Sequence, residues 1–240
     1  MTPMTPVPDR PVLAPRNGVA CLLVGLVVAV SVAAVSWLAM GSGAFVEGSP
    51  IEVLSALGYL VGGAVVLFGA LRCADRGPRV NAILGAGILF LLAAREMDLH
   101  KIEALGSITR SATYLDPTRP IGLRLLAALI LVAAIALVIA FALRTLAPVA
   151  RRPRNLIRAI PIALIGSAVL LGIAKAFDGL GRKLLGVGIE VGPAVKFLFV
   201  CVEETLELAA PVALCAIAVL FAIDAGQARN EVRSEVLSGR

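Results

Sequence analysis

Charge is scarce in this 240-residue chain. Asp, Glu, Lys and Arg make up 16% of it, against 59% for hydrophobic residues. A soluble domain is about a quarter charged and roughly half apolar, so an ordinary water-facing globular surface is excluded. Aromatic residues are 5% of the chain and do not interleave with basic ones, which leaves no nucleic-acid footprint. Histidine occurs once, at His100. The four cysteines, Cys21, Cys73, Cys201 and Cys215, have no CxxC or zinc-finger spacing. Three of them fall in apolar segments, where a thiol acts as a small hydrophobe, so no disulfide framework is expected. No phosphate loop, HExxH, GxSxG or dinucleotide fingerprint stands in its required context.

What the chain has instead is long apolar runs. Six are evident: 18–40, 51–71, a third starting near Val80 and running into Arg95–Lys101, 121–143, 159–174 and 197–223. About 20 apolar residues as a helix cross a bilayer core of roughly 30 Å. The fold class expected is therefore all-α, a polytopic membrane bundle of six transmembrane helices filling residues 18–223. Residues 1–17 carry five prolines and read as a disordered tail. Residues 224–240 read as a polar tail of mixed charge. The first run exceeds the apolar core of a cleavable signal, about 7–15 residues, so it reads as an uncleaved helix. Pro161 and Pro211 read as kinks within spans five and six. Residues 181–192 read as a glycine-rich loop. Trp37 and Tyr114 read as anchors at the membrane interface.

Orientation follows from the arginines. With the N-terminus inside, 13 of the 22 Lys and Arg residues fall on inner segments, and the 144–158 loop holds five arginines without an acid. Both termini are therefore expected in the cytoplasm. The acids are distributed oppositely, 11 of 16 lying on the outer side. That places the acidic chemistry at the outer leaflet.

Two stretches concentrate it. REMDLHK, Arg95–Lys101, ends the third span, and VEETLEL, Val202–Leu208, lies inside the sixth. Counting about 20 residues along each span puts Arg95, Glu96 and Glu207 roughly one turn below the outer boundary. Glu52 opens span two at the same level. On a helix, Glu203, Glu204 and Glu207 share an arc of about 100°. Were span three to continue as a helix, Glu96, His100 and Glu103 would share one face. Arg95, Asp98 and Lys101 would then lie opposite, spaced to pair among themselves. The candidate site is thus Glu52, Arg95, Glu96, Asp98, His100, Glu203, Glu204 and Glu207. Pro211 removes the hydrogen bond to the Glu207 carbonyl and frees it as a further cation ligand.

Three chemistries suit these residues. Ionisable groups at membrane depth are costly and point to function, so a proton- or cation-linked carrier is the first. A metal-dependent hydrolase of a lipid or amide is the second, with Glu96, His100, Glu203 and Glu207 as ligands of a divalent metal and a bound water as nucleophile. A non-catalytic sensor or assembly subunit is the third. The ligand in each case would be a small molecule, an ion or a lipid at the outer leaflet. Against all three stands a structural reading, in which Arg95, Arg124 or Lys175 holds the glutamates in an ion-pair network. Asp178, three residues from Lys175, reads as a self-paired helix end.

The two motifs, REMDLHK closing one helix and VEETLEL in the last, resemble motifs of a family of bacterial multi-pass inner-membrane proteins. The resemblance covers spans two to six and implies an inner-membrane location but no particular activity. The placing of polar residues at helix ends also resembles, distantly, the superfamily of alkaline ceramidases and related membrane hydrolases. That likeness implies a metal site built from several histidines, where this chain has His100.

Overall fold

A computed structural model describes residues 14–45, 49–73, 75–99, 107–108, 111–146 and 158–237. Among these residues the chain is helical and has no strand. The long helices are α1 (Pro15–Met40), α2 (Pro50–Arg72), α3 (Arg76–Glu96), α5 (Ile121–Phe141), α6 (Ala159–Phe177) and α8 (Pro193–Leu237). Two short ones, α4 (Ala112–Leu115) and α7 (Leu180–Gly186), lie in connections. Six helices are long and apolar enough to cross a membrane, as expected from the six runs. The protein is an all-α helical bundle.

Local chemistry sets the helix starts. Pro15 and Pro50 take the first helical position, where a missing N–H is no loss. Residues 15–17, expected within the tail, lie in the first turn of α1, and residues 1–13 lie outside the described residues. Ser49 caps α2, its side chain accepting the Glu52 N–H at 3.4 Å. SPIE is a capping-box sequence, and it fixes Glu52 in the first turn. Pro161 lies in the first turn of α6, so it makes no kink there. Pro211 is the interior proline, as expected. The stretch expected to be a glycine-rich loop begins with α7, a two-turn helix.

The helices alternate in direction. Trp37 at the end of α1 stacks at 5.0 Å on Phe197 at the start of α8. At the opposite end, Arg144 Nε donates to Asn81 Oδ1, tying the end of α5 to the start of α3. Helix α8 is the axis. It packs against α2, α1 and α6, while α3 leans on α2 and α5 on α3. The seams are made of small residues, because apolar side chains gain nothing by leaving lipid for one another and close backbone approach must supply the contact. Ala209, Ala210 and Ala213 of α8 are fully buried. A Cβ on Gly25 would lie 2.5 Å from the Ala209 carbonyl oxygen, and one on Gly18 would lie 2.5 Å from that of Ala159. Helix α5 buries only Ala127 and presents its leucines and isoleucines outward, as a lipid-facing helix does. At about 1.5 Å per residue the 45 residues of α8 are roughly twice as long as a bilayer core is thick. Residues 224–237, expected as a polar tail, continue that helix.

Candidate functional site

The acidic end of the bundle is where α2 and α8 begin and where α3 and α6 finish. Helix α8 carries Glu203, Glu204 and Glu207 there, one turn apart or adjacent. Glu207 is buried, 9% exposed. A lone carboxylate in that position would be expensive. Two cations meet it from two other helices. Lys175 Nζ, in the last turn of α6, lies 2.8 Å from Glu207 Oε1. Arg95 Nη2, in the last turn of α3, lies 3.6 Å from the same oxygen. Lys175 also approaches Glu203 at 3.7 Å and Asp178 at 3.4 Å, and Arg95 approaches Glu96 at 3.4 Å. Glu207 is thus the knot of an ionic tie joining α3, α6 and α8.

Lys175 stands at hydrogen-bonding distance from Glu207 Oε1, while Arg95 acts on Glu96 and Glu207 by charge at 3.4 and 3.6 Å. The Tyr59 hydroxyl on α2 is buried with no hydrogen-bond partner among the described residues. It sits within electrostatic range of Glu96, Arg95 and Glu207. Natural cores leave few such groups.

Glu204 faces a different environment. The charges that act on it most strongly are Glu207, Glu203, Glu52 and Glu96, all acidic. No cation among the described residues lies within ion-pair distance of it. Lys175 and Arg95, the cations paired with Glu203, Glu96 and Glu207, both approach Glu207. Beside them an open cleft of about 500 Å³ runs between α2 and the end of α3, lined by Glu52, Glu96 and Asp98 and by apolar residues of α2 and Met97 of the turn after α3.

The expected residues are not all brought together as one site. Arg95 does meet Glu207, and Glu52, Glu96 and Asp98 share the cleft. Helix α3 ends at Glu96, and positions 100 and 103 lie outside the described residues. Met97 and Asp98 form a turn in which Asp98 takes a φ of 54°, a left-handed conformation that stops the helix. Arg95 approaches Glu96 and Glu207, and Lys101, expected to pair with Arg95 and Asp98, lies outside the described residues. His100 lies outside the described residues. Among the described residues no three His, Cys, Asp or Glu side chains are grouped as metal ligands. Arg124, one of the three cations weighed as a holder of the glutamates, serves the short helix α4, its Nη1 donating to the Tyr114 carbonyl at 3.4 Å.

Two participants escaped the candidate set. Lys175 has a signal in the sequence, since counting about 20 residues from Ala159 places it at the same depth as Arg95 and Glu207. Tyr59 has none, being a single aromatic residue in an apolar run.

Outside the spans, two groups have displaced acidities. Thr118 hydrogen-bonds Asp116 through both its hydroxyl and its N–H and holds that exposed carboxyl below its usual range. Burial pushes the Cys73 thiol up, opposed by Arg79.

No protein-family model matches this chain, and neither a curated protein nor a solved structure matches it. The functional reading rests on the site itself.

Proposed function

We propose that the acidic end of the bundle binds cations from the outer side and that the protein is a proton- or cation-linked carrier of the bacterial inner membrane, with both termini in the cytoplasm. The observation that carries this reading is the surroundings of Glu204, a carboxylate on which the strongest charges are four other carboxylates and which has no cation within ion-pair distance among the described residues. Like charges held together at membrane depth are costly unless a proton or cation joins them. The arginine-rich 144–158 loop and the outward bias of the acids support the orientation.

The ionic tie supplies a means of coupling. A proton or cation taken up by Glu207 competes with Lys175 and Arg95 for the same oxygen. Its arrival loosens α3 and α6 from α8. Pro211, one turn further along α8, lacks the N–H that would hold the helix straight, and Gly58 of α2 packs against its ring. Site occupancy is thereby linked to movement of the upper part of α8 against its neighbours.

The test uses purified protein in liposomes loaded with a pH-reporting dye. Inward gradients of sodium, potassium, magnesium and an alkylammonium ion are imposed in turn. At least one should drive proton release, and Glu204→Gln should abolish it while leaving the protein folded. Wild-type vesicles that behave like empty ones for every cation would overturn the carrier reading.

A further inference from the structure

The segment that joins α6 to α8 is apolar and basic, and the bundle does not cover it. Over residues 180–196 the charged groups are Arg182, Lys183, Lys196 and one acid, Glu190. Helix α7 buries none of its residues. Leu185 is 57% exposed, and just beyond the helix Val187 is 73% and Ile189 52% exposed. A soluble surface rarely leaves such residues together in water. At about 100° per residue, Leu180, Leu184 and Leu185 share an arc of about 140° on α7, and Arg182 and Lys183 take about 100° of the far side. That division is the pattern of a helix lying in the plane of a membrane interface.

Two contacts set its height. The alkyl stem of Lys196 lies against Gly181, where an added Cβ would be 3.1 Å from the lysine Cγ. The first turn of α7 is therefore level with Lys196. The next residue, Phe197, stacks on Trp37 at 5.0 Å and meets Phe45 edge-on at 5.7 Å. Aromatic rings gather where bilayer meets water. Helix α7 thus lies at the height of the headgroups. Val195 and Leu198, in the same turn of α8 as Lys196, are exposed, so the lipid-facing surface of the bundle runs up to this level.

The cations there are unclaimed by the protein. The Arg182 guanidinium folds over Gly179, its Nη2 2.8 Å from where a Cβ would stand, so Arg182 and Lys196 flank the first turn of α7 together. No acid among the described residues lies within ion-pair distance of Arg182, Lys183 or Lys196. Lys175 and Arg95, by contrast, are taken up by carboxylates of the bundle.

We propose that residues 180–191 form an interfacial anchor that binds anionic phospholipid. Leu185, Val187 and Ile189 enter the lipid beneath the headgroups, and Arg182, Lys183 and Lys196 hold headgroup phosphates. A soluble anion would engage the cations and leave the apolar residues in water. A lipid satisfies both, with charge at the headgroup and acyl chain below it.

Trp37 is the sole tryptophan, so Trp37→Phe, which keeps a ring against Phe197, gives a background without tryptophan emission. A reporter is added at Val187→Trp or, independently, at Ile189→Trp, both exposed positions. The full-length protein is reconstituted in vesicles of mixed phosphatidylcholine and phosphatidylglycerol. One lipid at a time carries bromine on its acyl chains, which quenches tryptophan on contact, and acrylamide in the buffer quenches tryptophan in water. Both reporters should be quenched by brominated lipid and protected from acrylamide. Brominated phosphatidylglycerol should quench as though enriched roughly fivefold or more over brominated phosphatidylcholine, the effect of at least one cation acting on the headgroup. Replacing Arg182, Lys183 and Lys196 together by Gln should remove that preference and leave quenching by lipid in place. Leu129→Trp, on lipid-facing α5, should show no preference. Reporters quenched by acrylamide and not by lipid would place the segment in water and overturn the anchor. Reporters shielded from both would mean that protein covers the segment, a second copy of the chain included, and would overturn it as well. Equal quenching by the two lipids, or a preference that survives loss of all three cations, would overturn the assignment to anionic lipid.

Discussion

Glu207→Gln is the most direct test of the ionic tie. Glutamine keeps the size of the side chain and removes its charge. Both cations then lose their shared partner, Lys175 from 2.8 Å and Arg95 from 3.6 Å. Breaking a buried ion pair from one side costs about 3–5 kcal/mol. Here the released partners have somewhere to go. Their side chains are 43% and 42% exposed, and Lys175 keeps Glu203 and Asp178 while Arg95 keeps Glu96. The expected loss is therefore smaller, about 2–4 kcal/mol. In a melting assay on detergent-purified protein this corresponds to a drop of roughly 4–16 °C for a chain of this length. A double-mutant cycle separates the tie from general damage. Lys175→Met is made alone and with Glu207→Gln, and the coupling between them should be about 1–3 kcal/mol. Glu207→Gln protein that melts at or above wild type, with no coupling to Lys175→Met, would show that Glu207 is not held by charge and would refute the reasoning.

The other predictions concern packing, loop acidity and orientation. Gly25→Ala should destabilise by about 1–3 kcal/mol, because its Cβ meets the Ala209 backbone at 2.5 Å and α1 must move off α8. Gly172→Ala, with no atom within 4 Å of the new methyl, should stabilise α6 by about 0.5–1 kcal/mol; thermal melts of the two variants compare them directly. In the loop, Thr118→Ala should raise the Asp116 titration midpoint toward the ordinary carboxylate value, as followed by NMR. Because the folded pKa is depressed, the contribution of this contact is present above the unfolded pKa and lost as pH falls through the folded one. A reporter enzyme fused after Arg240 should read cytoplasmic, and a periplasmic signal there would reverse the assignment of the acidic end to the outer leaflet.

Membrane class and span count are legible in this sequence because they depend on local quantities. A run of apolar residues long enough to span a bilayer must satisfy its backbone internally, whatever its neighbours do. Depth is legible for the same reason, since each residue advances a helix by a fixed rise. That is how Arg95, Glu96, Glu207 and Glu52 could be placed at one level without any structure. Azimuth is not local. Which face of α6 turns to α8 depends on how Ala159, Ala163 and Ser167 pack, and their burial turns Lys175 onto Glu207 and Glu203. The sequence ranked Arg95, Arg124 and Lys175 alike as holders of the glutamates; packing selected two and gave the third to a carbonyl of α4. The end of α3 was hidden as well, because no glycine or proline marks it and a left-handed Asp98 does the stopping. Tyr59 was hidden most completely. In sequence it is one aromatic residue in an apolar run, and it acquires meaning only where α2 meets α3 and α8, because a hydroxyl becomes noteworthy once neighbouring helices have removed every partner it would have had in water.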